Sequence, residues 1–531
     1  MNNIENIIFK LKEKGIGLTL IGDDIEISFS DNEIDENDLL LIKKFKSEIK
    51  EYVRSFSLDE NHIHISRLDF SESYSISDAQ RRLWVLSQFE QGLVAYNIPG
   101  RLDLDGDYDI DSFKRAINSV IDRHEILRTV FRENEEGEVR QYILEKEELG
   151  FEIGYRDFRG EKDEKVDSYI KEDSYVAFDL EEGPLLRASL LQIEDEKYVF
   201  YFNMHHIISD GWSMGVLSKD VLSYYEAYKA GEEPKLKALR IQYKDYSAWQ
   251  LSQLEEEIYQ QHREYWLGEL SGELPLLDLL SSKLRPKVKT HSGNHLETYL
   301  SKEVTANLKS FTQDQGGSLF ISLLASWNIL FCRYTSNRDI IIGTPIAGRD
   351  HVDLENQIGF YINALALRNQ INPDETFIET HRKVKQNTLD AYNHQMYPFD
   401  RLVEDLELRR STNRSAVFDV MLTLQNFTEN SDQLEVDESR LNEITDRGGS
   451  LSKFDLTVTF KEVGDYLSFN VNYNRDVYDQ SMVMGLMEHY KLLLKGLLAD
   501  PNQKIAEIDY LKESEKHDLL KTFNDTTVSY P

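Results

Sequence analysis

Apolar and polar positions change their period along the chain, and each change predicts an element. Ile4, Ile7, Ile8 and Leu11 share one helix face, which Gly15 ends. IGLTLIGDDIEISF then alternates apolar and polar residues around Gly22-Asp23-Asp24, the pattern of a β-hairpin. DENDLLLIKKFKSEIKEYVRSF returns to helical spacing, with Asp35 or Asn37 as its cap. Residues 1–56 thus predict a helix–hairpin–helix unit, too small for an enzyme but large enough for a binding module. Its second strand, Ile25, Glu26, Ile27 and Ser28, offers an edge to which an extended peptide can add. The equal alternative is an embellishment packed on the main body. Residues 57–72 are polar and irregular, a linker.

Strand patterns and helix patterns then mix over several hundred residues. Strand-like runs are YNIPGRLDL, VRQYILE, RASLLQI, KYVFYFNMHHI, HLETYLS, DIIIGTPIAG, ALALRNQI, FDVMLTLQNF, KFDLTVTFKE and YLSFNVNYN. Helix-like runs are DIDSFKRAINSVIDRHEIL, VLSKDVLSYYEAYKA, SLFISLLASWNILFCRY and SMVMGLMEHYKLLLKGLL. The mixture predicts an α/β (α+β) fold in two lobes, residues 73–250 and 251–515. A charged helix over Leu251–Glu269 is expected between them, and DRGGSLSKFD is expected to be a loop. Residues 516–531 read as a linker toward a further domain.

Charge narrows the partners. The 531 residues carry a formal charge of −34, spread along the chain, which disfavours nucleic acid and anionic membranes. A single cysteine excludes an internal disulfide framework and any cysteine-based zinc site, and fits a cytoplasmic setting. That residue, Cys332, lies in an apolar helical run and reads as a buried structural thiol. The N-terminus has no signal-peptide pattern, and no run approaches the ~20 apolar residues of a membrane span.

The chemistry concentrates in FNMHHIISDGWSM, residues 202–214. On a continuous strand His205 would share a face with Tyr201 and Asn203, and His206 with Phe202 and Met204. One histidine is then structural and one free for chemistry, and the pattern does not say which. Gly211 breaks the strand, and Ser213 is expected to cap the helix that follows. The turn brings a candidate general base, Asp210, the Gly211 backbone and a helix N-terminus together. Metal binding is disfavoured because adjacent strand residues diverge and no H-E-x-x-H accompanies them. No G-x-S-x-G elbow and no phosphate-binding loop is present.

These residues, with others in order along the chain, resemble the condensation domain of nonribosomal peptide synthetases from about Tyr74 to Leu519. SDAQRRLW (77–84), RHEILRTVF (123–131), MHHIISDGWS (204–213) and YKDYSAW (243–249) are similar to the family's first motifs. IGFYINALALR (358–368), HQMYPFDRLVEDL (394–406) and RRSTNRSAVFDVML (409–422) are similar to the later ones. Tyr361-Ile362, Ala364 and Met396 depart from commoner residues, which touches substrate fit. The first 56 residues resemble small N-terminal docking domains, and FNDTTVSYP resembles a linker into an adenylation domain.

The resemblance implies two chloramphenicol-acetyltransferase-like lobes in a V, with a tunnel between them. It implies attack of an acceptor aminoacyl amine on a donor acyl or peptidyl thioester. Both would hang on phosphopantetheine arms of partner carrier domains, with no cofactor bound by this chain. It assigns the reaction to His206, oxyanion stabilisation to the Gly211 N–H, and packing to His205. It pairs Asp210 with Arg349, makes Trp212 a structural neighbour, and sets Asn363 in the channel wall. The implied partners are an upstream carrier with its C-terminal docking tail, and downstream adenylation and carrier domains. A docking-domain homodimer is a further expectation. Lys43, Lys44 and Lys46 would attract an acidic tail. Epimerization domains share H-H-x-x-x-D-G, and a catalytically inactive recruiting domain is the non-enzymatic alternative.

Overall fold

The computed structural model describes residue 11 and residues 16–21, 24–29, 36–46, 49–50, 65–88, 94–254, 256–279, 281–408, 411–425 and 444–524. Strands β1 (Ile16–Ile21) and β2 (Asp24–Phe29) pair antiparallel from Ile16↔Phe29 to Ile21↔Asp24. Among the described residues β2 has no other strand neighbour, so Ile25–Ser28 form an edge. A helix follows at Glu36–Lys44. Asn37 lies inside it and is not its cap; Asp35 and the first expected helix, Leu11 apart, lie outside the described residues.

Two hydrophobic cores organise the rest. The first draws mainly on residues between Ile65 and Tyr246, with four added from residues 354–361, and the second on residues between Tyr259 and Ile508. In the first half, β4 (Asn97–Asp105), β9 (Lys197–His205), β8 (Leu186–Glu194) and β7 (Gly154–Asp157) form one sheet, ordered β4-β9-β8-β7. A smaller sheet is ordered β3 (Tyr74–Ser75), β6 (Val139–Ile143), β5 (Thr129–Glu133). Strand β9 is covered on both faces, which explains its unbroken apolar run. Phe200, Phe202 and Met204 join Phe113 and Leu217 in the core. Val199 and Tyr201 pack with Val166 and Leu191 on the other side. The helix Ile110–Arg123 buries Phe113, Ala116, Ile117, Val120 and Ile121, one stripe at helical spacing, and lies against the helix Gly211–Lys229.

The second half is built on a seven-stranded sheet. Its order is β12 (Asn363–Gln370), β11 (Asp339–Ile346), β13 (Val420–Gln425), β15 (Leu456–Val463), β16 (Tyr466–Asn474), β10 (Ser292–Leu300), β14 (Thr445–Leu451). The pairs β11–β13 and β13–β15 are parallel, and the others antiparallel. The helix Leu319–Thr335 is largely apolar because it is buried from Phe320 to Cys332, and its buried Ser322, Ser326 and Asn328 find hydrogen-bond partners inside the core. Its Trp327 stacks on Tyr490 of the helix Gln480–Ala499, ring centres 4.5 Å apart. Among the described residues no single helix is long and apolar enough to cross a membrane.

Two expectations fail here. DRGGSL is not a loop: it forms most of β14, which pairs with β10 across a register shift at His295/Leu296. Backbone pairing to an existing strand outweighs the low strand preference of two glycines. The helix expected over Leu251–Glu269 is two helices, Tyr243–Gln253 and Glu257–Glu269.

One segment ties the halves together. After β11 the chain runs back to the first half, and Leu354, Ile358, Phe360 and Tyr361 join the first core. Gly348 opens this excursion at φ 63°, and a Cβ there would sit 2.0 Å from the Tyr361 carbonyl oxygen. Only glycine fits both that backbone and that approach.

Candidate active site

β9 ends at His205, and residues His206–Ile208 turn as a single 3-10 stretch. The alternation of strand faces therefore stops between the two histidines. His206 N–H donates to the Tyr96 carbonyl at 2.8 Å, and Gln80 Nε2 donates to the Ile207 carbonyl at 3.1 Å, so two first-half segments brace the turn. Gln80 is itself set by a reciprocal cap with Ser77 at the start of the helix Asp78–Ser87. Ser77 Oγ lies 3.0 Å from Tyr243 Oη, and Tyr243 donates to the Phe360 carbonyl at 2.8 Å.

The two imidazoles differ in surroundings. His205 is 1% exposed and meets Phe178 edge-on at 6.2 Å. Its Nδ1 accepts the Ile207 N–H at 3.2 Å, which puts the ring hydrogen of the neutral form on Nε2. That Nε2 is buried without a partner. Burial, with Lys453 adding to it, pushes the His205 pKa down to about 3.

His206 is only partly buried and meets Phe360 edge-on at 4.8 Å. Its Nδ1 lies 2.7 Å from the Ser209 carbonyl oxygen. A carbonyl can only accept, so Nδ1 carries the hydrogen and Nε2 keeps a lone pair in the neutral ring. Burial first, then the charge of Lys453, holds the His206 pKa well below the usual histidine range.

The helix Gly211–Lys229 is capped by Asp210, not by Ser213 as its sequence led us to expect. Asp210 Oδ1 accepts the Ser213 N–H at 2.8 Å, which places Ser213 in the first turn. Ser213 Oγ stands 2.7 Å from Asp210 Oδ1 and 2.9 Å from the Gly359 carbonyl, and it accepts the Gly359 N–H at 3.1 Å. Arg349 Nη2 reaches Asp210 Oδ1 at 3.0 Å and Oδ2 at 3.3 Å, and Tyr361 N–H donates to Oδ2 at 3.1 Å. Arg349 Nη1 donates to the carbonyls of Leu354 and Gln357, and its guanidinium lies 4.2 Å from the Tyr361 ring centre. Trp212 Nε1 donates to the Glu355 carbonyl at 2.8 Å, a further tie to the same segment. Gly211 is exposed at the first helical position, and a Cβ there would meet nothing within 4 Å.

Asn363 lies on the wall of a pocket shared with Phe360, Tyr361, Trp249 and Asp400. Its amide is not free to meet a ligand. Nδ2 donates to the carbonyls of Gln395 and Tyr397, both at 2.9 Å, and Oδ1 accepts the Phe399 N–H at 2.9 Å. Asn363 is a clamp between β12 and the segment that leads into the helix Phe399–Asp405. The sequence reading missed Tyr96, whose carbonyl holds the His206 N–H, and Lys453, whose charge acts on both histidines. No local pattern marks a lone lysine between two strands.

The condensation-domain family model matches residues 71–520. One of the linear gramicidin synthase proteins of Brevibacillus parabrevis is 36% identical over 493 residues, 91% of this chain and 9% of that protein. Bacitracin synthase 3 of Bacillus licheniformis is 36% identical over 485 residues, 91% of this chain and 7% of that protein. The chain thus spans less than a tenth of the length of these relatives. Among solved structures, a complex of the X-domain and OxyB from teicoplanin biosynthesis aligns at TM-score 0.73 and 23% identity. The match covers 85% of this chain and 98% of that one. A four-domain nonribosomal peptide synthetase bound to AMP and glycine aligns at TM-score 0.72 and 22% identity, covering 86% of this chain and 35% of that one. With the histidine turn, its Asp210–Arg349 tie and the match over residues 71–520 in hand, the chain belongs to the condensation domains of nonribosomal peptide synthetases, the acyltransferases that form their peptide bonds.

Proposed function

We propose that this chain joins a donor acyl or peptidyl thioester to the amine of an acceptor aminoacyl thioester, both delivered as substrates on phosphopantetheine arms of partner carrier domains. The observation that carries the reading is the His206 tautomer. Nδ1 is committed to Ser209, so Nε2 presents a lone pair that can hold or receive the amine proton. An α-amine with a reference pKa of ~7.7–8.0 is partly protonated at neutral pH, and only its free form attacks. The Gly211 N–H, at a helix start, is assigned to the oxyanion. Asp210, Arg349 and Trp212 hold the turn, and His205 packs beneath it. Juxtaposition of two tethered substrates supplies much of the acceleration.

The finer organisation is part of the same proposal. Residues 1–56 dock, through strand addition along Ile25–Ser28, the C-terminal tail of an upstream synthetase protein. Exposed Lys43, Lys44 and Lys46 attract acidic residues of that tail. Residues 73–250 and 251–515 are the two lobes, and 516–531 lead toward adenylation and carrier domains. The setting is cytoplasmic. A recruiting role without chemistry is the alternative, and an intact H-H-x-x-x-D-G turn argues against it.

The test loads an upstream and a downstream carrier with aminoacyl-phosphopantetheine, adds this chain and weighs the intact carriers. Dipeptide on the downstream carrier is expected. Its absence across several donor–acceptor pairs overturns the reading, and an inverted donor stereocentre replaces it with epimerization.

A further inference from the structure

Lys453 lies in the link from β14 to β15, and that link is pinned. Ser452 N–H donates to the His291 carbonyl at 3.0 Å, Asp455 N–H donates to the Asp419 carbonyl at 3.0 Å, and Phe454 stacks on Phe418 at 5.4 Å. The lysine crosses to the first half, where Nζ stands 4.8 Å from the ring centre of Tyr96. The Tyr96 carbonyl is the group that holds the His206 N–H. The charged and titratable groups that feel Lys453 or act on it are Arg82, His205, His206 and His291. Arg82 is already paired with Asp400 at 2.7 Å. Among the described residues no ion pair joins Lys453 to a carboxylate, and its partly buried cation lies against the ring of Tyr96, the residue whose carbonyl holds the His206 N–H.

Lys453 is partly buried, and a half-desolvated cation held by its backbone beside a reaction site with no carboxylate partner calls for a use. We propose that Lys453 is an electrostatic positioning residue for the reaction at His206: its ammonium disfavours protonated acceptor amines near the turn and favours negative charge on the thioester oxygen. The inference rests on the condensation reading above. In that reaction the neutral amine's lone pair attacks the thioester carbon. The C–N bond forms as the carbonyl π pair moves to oxygen. The oxyanion then collapses, the C–S bond breaks, and the proton lost by nitrogen ends on the departing pantetheine sulfur. Nothing is oxidised or reduced, and no co-reactant is required. A fixed positive charge opposes the ammonium form and stabilises the oxyanion; the same charge disfavours proton uptake by His206, so it favours a His206 that holds the free amine over one that takes its proton.

The same placement sets a pH signature. Burial, with Arg82 adding to it, pulls the Lys453 pKa down to about 8. The cation is present below that pH and lost above it. The experiment measures single-turnover dipeptide formation by the full chain, with loaded carriers, from pH ~6.5 to ~9.5, a range that brackets that titration. Lys453→Gln is expected to run about tenfold slower than wild type at pH ~7, with the gap closing above pH ~8. Lys453→Arg, whose charge persists, is expected to keep its rate and exceed wild type at the alkaline end. A wild-type-to-Gln ratio of one at neutral pH, or one constant across the range, overturns the role of Lys453 while leaving condensation intact. Should the Gln variant fail to fold, the Arg profile decides: no alkaline gain over wild type overturns the proposal. Absence of dipeptide from wild type itself is the separate failure of the condensation reading.

Discussion

Arg349 Nη2 holds both carboxylate oxygens of Asp210, at 3.0 and 3.3 Å, across 139 residues of chain, and the two side chains are 2% and 3% exposed. Asp210 caps the helix that begins beside the histidine turn, and Arg349 is fixed by the segment that returns from the second half. The pair therefore joins local capping to long-range assembly. Removing one partner leaves an uncompensated buried charge, at a cost of about 3–5 kcal/mol. Arg349→Ala and Asp210→Asn are expected to lower the urea midpoint strongly. Arg349→Lys is expected to rescue little, because an ammonium cannot span Asp210, Leu354 and Gln357 together. A double-mutant cycle giving no coupling between the two positions would contradict this account.

Gly211 allows the backbone and side-chain contributions of one residue to be separated. It occupies the first helical turn, where proline is tolerated, and Asp210 before it is extended at φ −138° and ψ −178°. Gly211→Pro deletes the N–H assigned to the oxyanion while keeping the helix, and kcat is expected to fall about 10²–10³-fold. Gly211→Ala keeps the N–H and meets nothing within 4 Å, so it should retain most activity. A folded proline variant with wild-type kcat removes Gly211 N–H from the mechanism.

Acid should destabilise the fold through its buried histidines. Burial lowers His205 to about 3 and His262 and His381 to about 4. Unfolded histidine titrates near ~6.5, so below that pH the unfolded chain binds protons that the folded chain refuses. Their contribution is full above pH ~6.5 and is lost as pH falls, on the order of 2 kcal/mol per histidine at pH ~5. Denaturant midpoints measured from pH ~7.5 to ~5 should drop accordingly; a flat series would contradict the assignment of these rings as neutral and buried.

Asn363 separates a clamp from a channel wall. Truncation to alanine strands the carbonyls of Gln395 and Tyr397 and the Phe399 N–H, at a cost of roughly 3 kcal/mol in all. Asn363→Ala is expected to melt earlier yet turn over near the wild-type rate where it remains folded. Loss of turnover with unchanged stability would return Asn363 to a substrate-contacting role.

Periodicity located the long strands and four of the long helices, though not Phe377–Asn393, because burial on one or both faces writes itself into local sequence. It failed where pairing is imposed from outside. β14 contains Gly448-Gly449 and becomes a strand only because β10 lends it a ladder. The cap at Asp210 was mistaken for Ser213 because both residue types cap helices, and the arginine that selects between them lies far along the chain. Arg349 itself was reached through family resemblance, not through any local pattern. Lys453 meets Tyr96 across the two halves of the chain, and no spacing encodes that meeting.

The central claim is that His206, not His205, serves the reaction. Its most direct test is the single-turnover rate of dipeptide formation between two loaded carriers, wild type against His206→Ala, with folding checked by melting. The account predicts dipeptide from wild type and a loss of about 10²–10⁴-fold from the variant. A folded His206→Ala protein that forms dipeptide at the wild-type rate would contradict it and leave the His206 Nε2 lone pair without a part in the chemistry.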